Sequence, residues 1–255
     1  MPTLTEGSIV RALFTISVPI VLANILQTAY QITDTFWVGR LSAQAVAAVS
    51  LSFPISFLLI ALGGGLPIAG SVLIAQLKGK GDDTSMNHVA AQTLLMVIGV
   101  SIVLSAGGYI FAEQLMRLMG AAPDVLPDAT AFLRVTFMGF VFVFGFFVFQ
   151  ALMRGLGVVI MPMMIVLITV LLNLLLDPLF IFGYGTVPAM GVAGAAMATL
   201  CTQALATIIG FIFLFNGRYG IHLRLRDFRP DFAFIRQAFR IGLPASIEQS
   251  TRALG

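Results

Sequence analysis

Six stretches of this chain are apolar for long enough to cross a lipid bilayer: 13–38, 47–77, 89–112, 129–153, 160–182 and 191–215. A helical crossing takes about 20 residues, and tilt absorbs more. Composition leaves no other solvent. The chain is 59% hydrophobic and 10% charged, where a soluble domain carries about 25% charged residues. Backbone groups in hydrocarbon must pair within their own segment or within a closed barrel. Segments of this length and pattern predict an all-α, polytopic membrane protein with a six-helix transmembrane lobe. The second stretch is long, and its beginning, 42–53, is expected to include a short loop before the helix settles at Pro54.

Hydrophilic turns at 78–83, 120–128, 154–157, 183–188 and 216–231 separate the spans. Basic residues fix the direction of threading, because cytoplasmic loops collect Lys and Arg. With the N-terminus inside, the inner loops hold Arg11, Lys78, Lys80, Arg154, Arg218, Arg224, Arg226, Arg229, Arg236 and Arg240, against Arg40, Arg117 and Arg134 outside. The expected location is therefore the cytoplasmic (inner) membrane, multi-pass, with a cytoplasmic N-terminus. The first stretch is too long for a cleavable signal and contains Asp34; it is expected to remain as an anchor. The net charge of +3 follows from these arginine-bearing loops, and no nucleic-acid partner is expected. Cys201 is alone, so no disulfide forms within the chain. His88 and His222 lie far apart, and no Cys/His/Asp/Glu group has metal-ligand spacing.

A short motif recurs. Arg11, Phe14, Ile16 and Pro19 reappear as Arg236, Phe239, Ile241 and Pro244 at a constant offset of 225. Val18/Leu243 and Leu22/Ile247 are similar pairs. Each copy opens a span from the same side, as in transporters built from parallel repeats. The expected organisation is an N-terminal six-helix lobe at 1–217, a cytoplasmic linking loop at 218–235, and the truncated first helix of a second lobe at 236–255. That last segment is expected to pack loosely, because its own lobe is absent.

Polar residues inside the spans carry the functional signal. An ionised group at the centre of a span costs roughly 2.5–3.5 kcal/mol on insertion scales. Asp34 and Asp177 nevertheless lie within spans, and Glu248 in the partial seventh. On the first helix Asn24, Gln27, Tyr30, Gln31 and Asp34 fall within an arc of about 120°. On the fifth, Thr169, Asn173 and Asp177 step by four. On the sixth, Thr199, Thr202, Gln203 and Thr207 share a face. Alternate threading puts Asp34, Asp177 and Thr199 at one depth near the outer side. Two carboxylates, an amide, a phenol and a hydroxyl can meet there, to bind a sodium ion through oxygens or to hold a shared proton. Pro19, Pro54, Pro67, Pro162 and Pro178 lie in or at the edge of spans, where proline removes a helical hydrogen bond, Pro178 at the Leu174 carbonyl beside Asp177. Gly63-Gly64-Gly65 and the small residues 191–196 suit close helix packing.

At this point the residues resemble a known family, the multidrug and toxic compound extrusion (MATE) transporters. Pro19 followed by Thr33-Asp34-Thr35-Phe36-Trp37-Val38-Gly39-Arg40-Leu41 is similar to its first helix and loop. Residues 47–54 are similar to the entry of its second helix. Ile74-Ala75-Gln76-Leu77 with Gly79, Gly81 and Asp82 is similar to the following turn. Asn173, Asp177-Pro178, Gly194-Ala195-Ala196 and Ala198-Thr199 are similar to its fifth and sixth helices. The resemblance implies twelve helices in two six-helix lobes around a central cleft. It implies antiport of bulky, often cationic drugs against protons or sodium. It implies a cation site at Asp34, Asn173, Asp177 and Thr199, with Tyr30 in the same pocket, and helix bending at Pro19. Asn24, Gln27, Gln31 and Gln203 would line the substrate cavity, with Pro178 a second bend. One departure is visible: after Arg154-Gly155-Leu156-Gly157 the family usually has an aspartate, and here stands Val158.

The competing function from the same superfamily is a lipid-linked precursor flippase, which tends toward a cationic cavity. An integral-membrane enzyme has no support, because no His cluster or Ser/His/Asp set shares one depth. The expectations are thus a non-enzyme needing no cofactor beyond its coupling ion. Its partners would be the lipid bilayer, small organic drug-like substrates and a missing C-terminal lobe.

Overall fold

The computed structural model describes residues 9–254, apart from the side chains of residues 9–12, 225 and 252–254. The side chain of Arg11 of the repeat, and the ends of the two outer predicted regions, 1–8 and 255, lie outside what is described. The helices are α1 (Ile9–Gly39), α2 (Ala43–Lys80), α3 (Asp83–Leu118), α4 (Leu126–Gly155), α5 (Ile160–Phe182), α6 (Val192–Asn216) and α7 (Phe232–Leu254), with a 3₁₀ turn at Leu225–Phe228 before the last. Among the described residues the only β pairing is the bridge Tyr184–Val187. The fold is all-α, and α1 to α6 are each long and apolar enough to cross a membrane.

The helix starts follow from capping chemistry. Ser42 has extended backbone, and its hydroxyl accepts from Ala45 N at 3.0 Å. The cap starts α2 at Ala43, so the loop expected over 42–53 is absent and Pro54 lies inside the helix. A serine cap satisfies an amide that otherwise lacks a partner, which is enough to begin the helix that early. Asp82 does the same for α3 through Ser85 N. Between α5 and α6 the chain reverses at Gly183, where φ is +75° and an added Cβ would stand 2.6 Å from Ala189 N. Only glycine takes that conformation in that space.

Helix α4 is the structural axis. It packs against α2, α3 and α6. Phe137, Phe140, Phe144 and Phe149 are fully buried along it. Successive rings meet edge to face, Phe137–Phe140 at 5.1 Å and Phe140–Phe144 at 5.9 Å between centroids. Three of these rings fill sites opposite glycines on other helices: Phe137 at Gly108 of α3, Phe144 at Gly63 of α2, and Phe149 at Gly210 of α6. Lipid tails are as apolar as side chains, so association in the membrane relies on such close packing. Helix α1 sits to one side, held mainly by α5, with Leu13, Phe14, Val18, Val21 and Ile25 exposed.

The seventh helix overturns the expectation of loose packing. It begins at Phe232 rather than 236 and lies against α2. Gly65 of α2 and Gly242 of α7 meet backbone to backbone. Ser246 is buried; its hydroxyl donates to Leu62 O at 2.8 Å and accepts from Gly65 N at 3.2 Å. Gly64 and Gly65 face α7 and let the two backbones approach, and the serine satisfies itself across the gap. The repeat falls at corresponding places: Pro19 and Pro244 lie inside their helices, and Phe14 and Phe239 are both exposed.

The segment joining α6 to α7 is also fixed, and α3 fixes it. Gln92 is fully buried. Its amide nitrogen donates to Asp227 O at 3.0 Å and Arg229 O at 2.6 Å, and its amide oxygen accepts from Asp231 N at 3.0 Å. Asn87 Oδ1 accepts from His222 N at 2.7 Å, and His88 Nε2 lies 3.0 Å from Asp231 Oδ2. Asp231 Oδ1 caps α7, accepting from Ala233 N and Phe234 N. Sequence reading gave the histidines no role and did not consider Asn87 or Gln92.

Candidate functional site

Helices α1, α5 and α6 bring the predicted residues together at the end of the bundle remote from the α6–α7 linker. Thr199 donates to Asp34 Oδ2 at 3.2 Å. Asn173 Nδ2 donates to Asp177 Oδ1 at 3.0 Å, one helical turn along α5. The Tyr30 hydroxyl is buried and lies 2.6 Å from the Thr202 hydroxyl. The Asp34 carboxylate is near enough to Asp177 for each to act on the other. Asn173 and Asp177 are fully buried behind this layer.

What the layer lacks is donors. Asp34 Oδ1, Asn173 Oδ1 and Asp177 Oδ2 are buried acceptor oxygens with no hydrogen-bond partner. A buried acceptor left bare forfeits the free energy of its hydration. Three of them side by side, with two carboxylates among them, form a set of oxygens that a small hard cation or a proton completes. Among the described residues no group of three or more His, Cys, Asp or Glu side chains could hold a metal, so any ion here must also be met by neutral oxygens.

A cavity of about 380 Å³ opens onto this layer. Pro19, Asn24, Gln27, Tyr30, Gln31, Asp34, Thr199 and Gln203 all line it, as the polar arc on α1 required. Phe140, Val143 and Phe147 of α4 and Met163 of α5 supply an apolar wall. Two residues of the predicted faces belong elsewhere. Thr169 bonds back to Val166 O at 2.9 Å. Thr207 turns to α4, donating to Phe142 O at 2.6 Å beside Gly145. A shared face on a long helix meets different neighbours along its length. Thr202 reaches the site through Tyr30 rather than through a carboxylate. Val158 and Arg154 also line the cavity, so the turn that departs from the family pattern faces the same space.

The chain is similar to known proteins. A family model described as MatE matches residues 19–179. The probable multidrug resistance protein YpnP of Bacillus subtilis is 33% identical over 249 residues, covering 96% of this chain and 54% of that protein. The multidrug export protein MepA of Staphylococcus saprophyticus is 30% identical over 244 residues, covering 94% and 52%. A solved structure described as the outward-facing conformation of a multidrug resistance MATE family transporter superposes with a TM-score of 0.87 at 30% identity, over 96% of this chain and 54% of that one. The chain spans about half the length of the relatives it matches.

Proposed function

The chain belongs to the multidrug and toxic compound extrusion family, and from that premise we propose that it is the ion-coupling half of a membrane exporter. The exporter moves bulky, often cationic organic compounds outward by alternating access, against a proton or a sodium ion. A second six-helix lobe completes the cleft, and this half alone does not export. The linker end faces the cytoplasm, a reading supported by Lys78, Lys80, Arg218, Arg224, Arg226 and Arg229 on that side. The membrane is the cytoplasmic (inner) one.

One observation carries the reading: Asp34, Asn173 and Asp177 hold three donor-less buried oxygens, and Asp34 among them lines a cavity of about 380 Å³. A cation or proton there satisfies the oxygens and neutralises the layer. Release of that ion restores charge at the cavity wall, where a cationic substrate can pair with Asp34. Ion and substrate then compete for one carboxylate, which is the linkage an antiporter needs. Asp34, Asn173, Asp177 and Thr199 hold the ion, Tyr30 and Thr202 brace α1 against α6, and Pro19 and Pro178 allow their helices to bend.

The test is drug efflux by the full-length transporter, with expression level as control. Asp34→Asn keeps shape and removes the titratable charge. It should lower coupled efflux by about tenfold or more while leaving folding intact. Asp177→Asn should act alike, and the double variant should be little worse than either single one, because both acids serve one site. Repeating the assay in vesicles with only a sodium gradient, or only a pH gradient, identifies the ion. Normal efflux by well-expressed Asp34→Asn protein would place coupling elsewhere.

A further inference from the structure

The cavity that ends at Asp34 also carries a guanidinium. Arg154 stands in the last turn of α4, at the linker end of the bundle, and lines the cavity with Gln150 one turn earlier. Among the described residues Asp34 is the only acidic one lining it. The ion pairs among the described residues are His88–Asp231, Arg117–Glu113 and Arg226–Asp227, and Arg154 is in none of them. Nor do Asp34 and Arg154 neutralise each other. Along α1 the cavity runs from Pro19 to Asp34, which is about 22 Å of helix, and Arg154 lies at the Pro19 end. The space is therefore bipolar, with a carboxylate layer at one end, a guanidinium at the other, and the wall of Phe140, Val143, Phe147 and Met163 between.

Arg154 is exposed in the last turn of α4, so its guanidinium stays hydrated and open to whatever enters this end of the cavity. Its planar fork of donors matches the paired oxygens of a carboxylate, sulfonate or phosphate, and it stays charged at any relevant pH. Val158 and Val159, at the turn just after Arg154, are apolar and largely buried, so no carboxylate from that turn satisfies it. We propose that Arg154 is an anion-recognising residue at the linker-end mouth of the cavity, selecting amphiphiles that carry a carboxylate, sulfonate or phosphate on an apolar body. The inference rests on reading this cavity as the substrate pathway, and it widens the substrate class to zwitterionic and anionic amphiphiles.

A matched pair of probes tests it: a cationic xanthene dye bearing a free carboxylate, and the ethyl ester of the same dye. Binding of each to the full-length transporter in lipid nanodiscs is read by fluorescence anisotropy. Arg154→Gln should weaken binding of the free acid by about tenfold, the loss of a charge-assisted pair, and change the ester by less than about threefold. Arg154→Lys, which keeps the charge and loses the fork, should fall between. Equal losses for both dyes would mean that Arg154 holds the protein together or pairs with an acid outside this chain. No change for either dye, or no binding of the acid to the unsubstituted protein, also overturns the proposal. Binding is independent of coupling. Discrimination by Arg154 in a protein that exports neither dye would leave the recognition site standing and sink the export reading.

Discussion

The two sides of this bundle are built from opposite materials. Where α4 meets α2, α3 and α6, phenylalanine rings fill positions left open by glycines, and the core is large and apolar. Where α1 meets α5 and α6, the contact is made of carboxylates, amides and hydroxyls, three of whose oxygens have no donor. The first side holds its shape through packing that has one good solution. The second is held by a few hydrogen bonds and has unmet valence. Substitutions on the aromatic side should therefore change how much protein folds, and those on the polar side how well folded protein works.

The largest effect should come from the aromatic side. Phe144→Ala removes a buried ring seated opposite Gly63 and should destabilise the protein by roughly 3 kcal/mol, the low end for such truncations because lipid surrounds the unfolded reference state. Thermal unfolding followed by Trp37 fluorescence measures this. A shift of only a degree or two would show that the ring packing is slack and would erase the contrast. A middle-sized effect should come from the linker latch. Gln92→Ala strands two carbonyls and one amide, which costs about 1–3 kcal/mol locally. Faster protease cleavage between Gly217 and Asp231, with the unfolding midpoint little changed, is the expected result.

The smallest effect is acid loosening of the same latch. The backbone amide of Phe234, then the His88 side chain, hold the Asp231 carboxyl below its usual range. A depressed value means that the carboxylate's contribution is fully present above the unfolded pKa and is lost as pH falls through the folded one. Hydrogen exchange at the Ala233 and Phe234 amides should rise below about pH 4. Asp231→Asn should exchange faster at neutral pH and lose that dependence. A flat profile in the unsubstituted protein would show that the cap adds nothing to the latch.

The polar side was the more legible of the two in the sequence. Asn24, Gln27, Tyr30, Gln31 and Asp34 stand out because polar residues are rare in a span, so helical spacing alone gives their face. All of them line the cavity. Thr169 and Thr207 share faces with site residues yet donate to backbone carbonyls, because threonine in a membrane helix bonds its own backbone or a neighbour's as readily as it lines a site. The aromatic side was opaque for the reverse reason. Phenylalanine and glycine are abundant here, and nothing in periodicity tells which ring fills which gap. The start of α2 was misplaced because Pro54 was read as a beginning while the hydroxyl of Ser42 had already made one. The closeness of α7 was missed because Gly63-Gly64-Gly65 advertises an approach without naming the partner.

The seat for the linker and α7 is laid down early in the chain. Gln92 and the Arg229 carbonyl that it holds are 137 residues apart. At a synthesis rate of about 5–20 residues per second, α3 stands for roughly 7–27 seconds before the segment that covers it leaves the ribosome. Until then the glycine groove and the amide of Gln92 lack the partners that they have in the finished fold. The seventh helix then arrives at a template already inserted and oriented. Order of birth thus gives the first six helices authority over where any later part of the chain is placed.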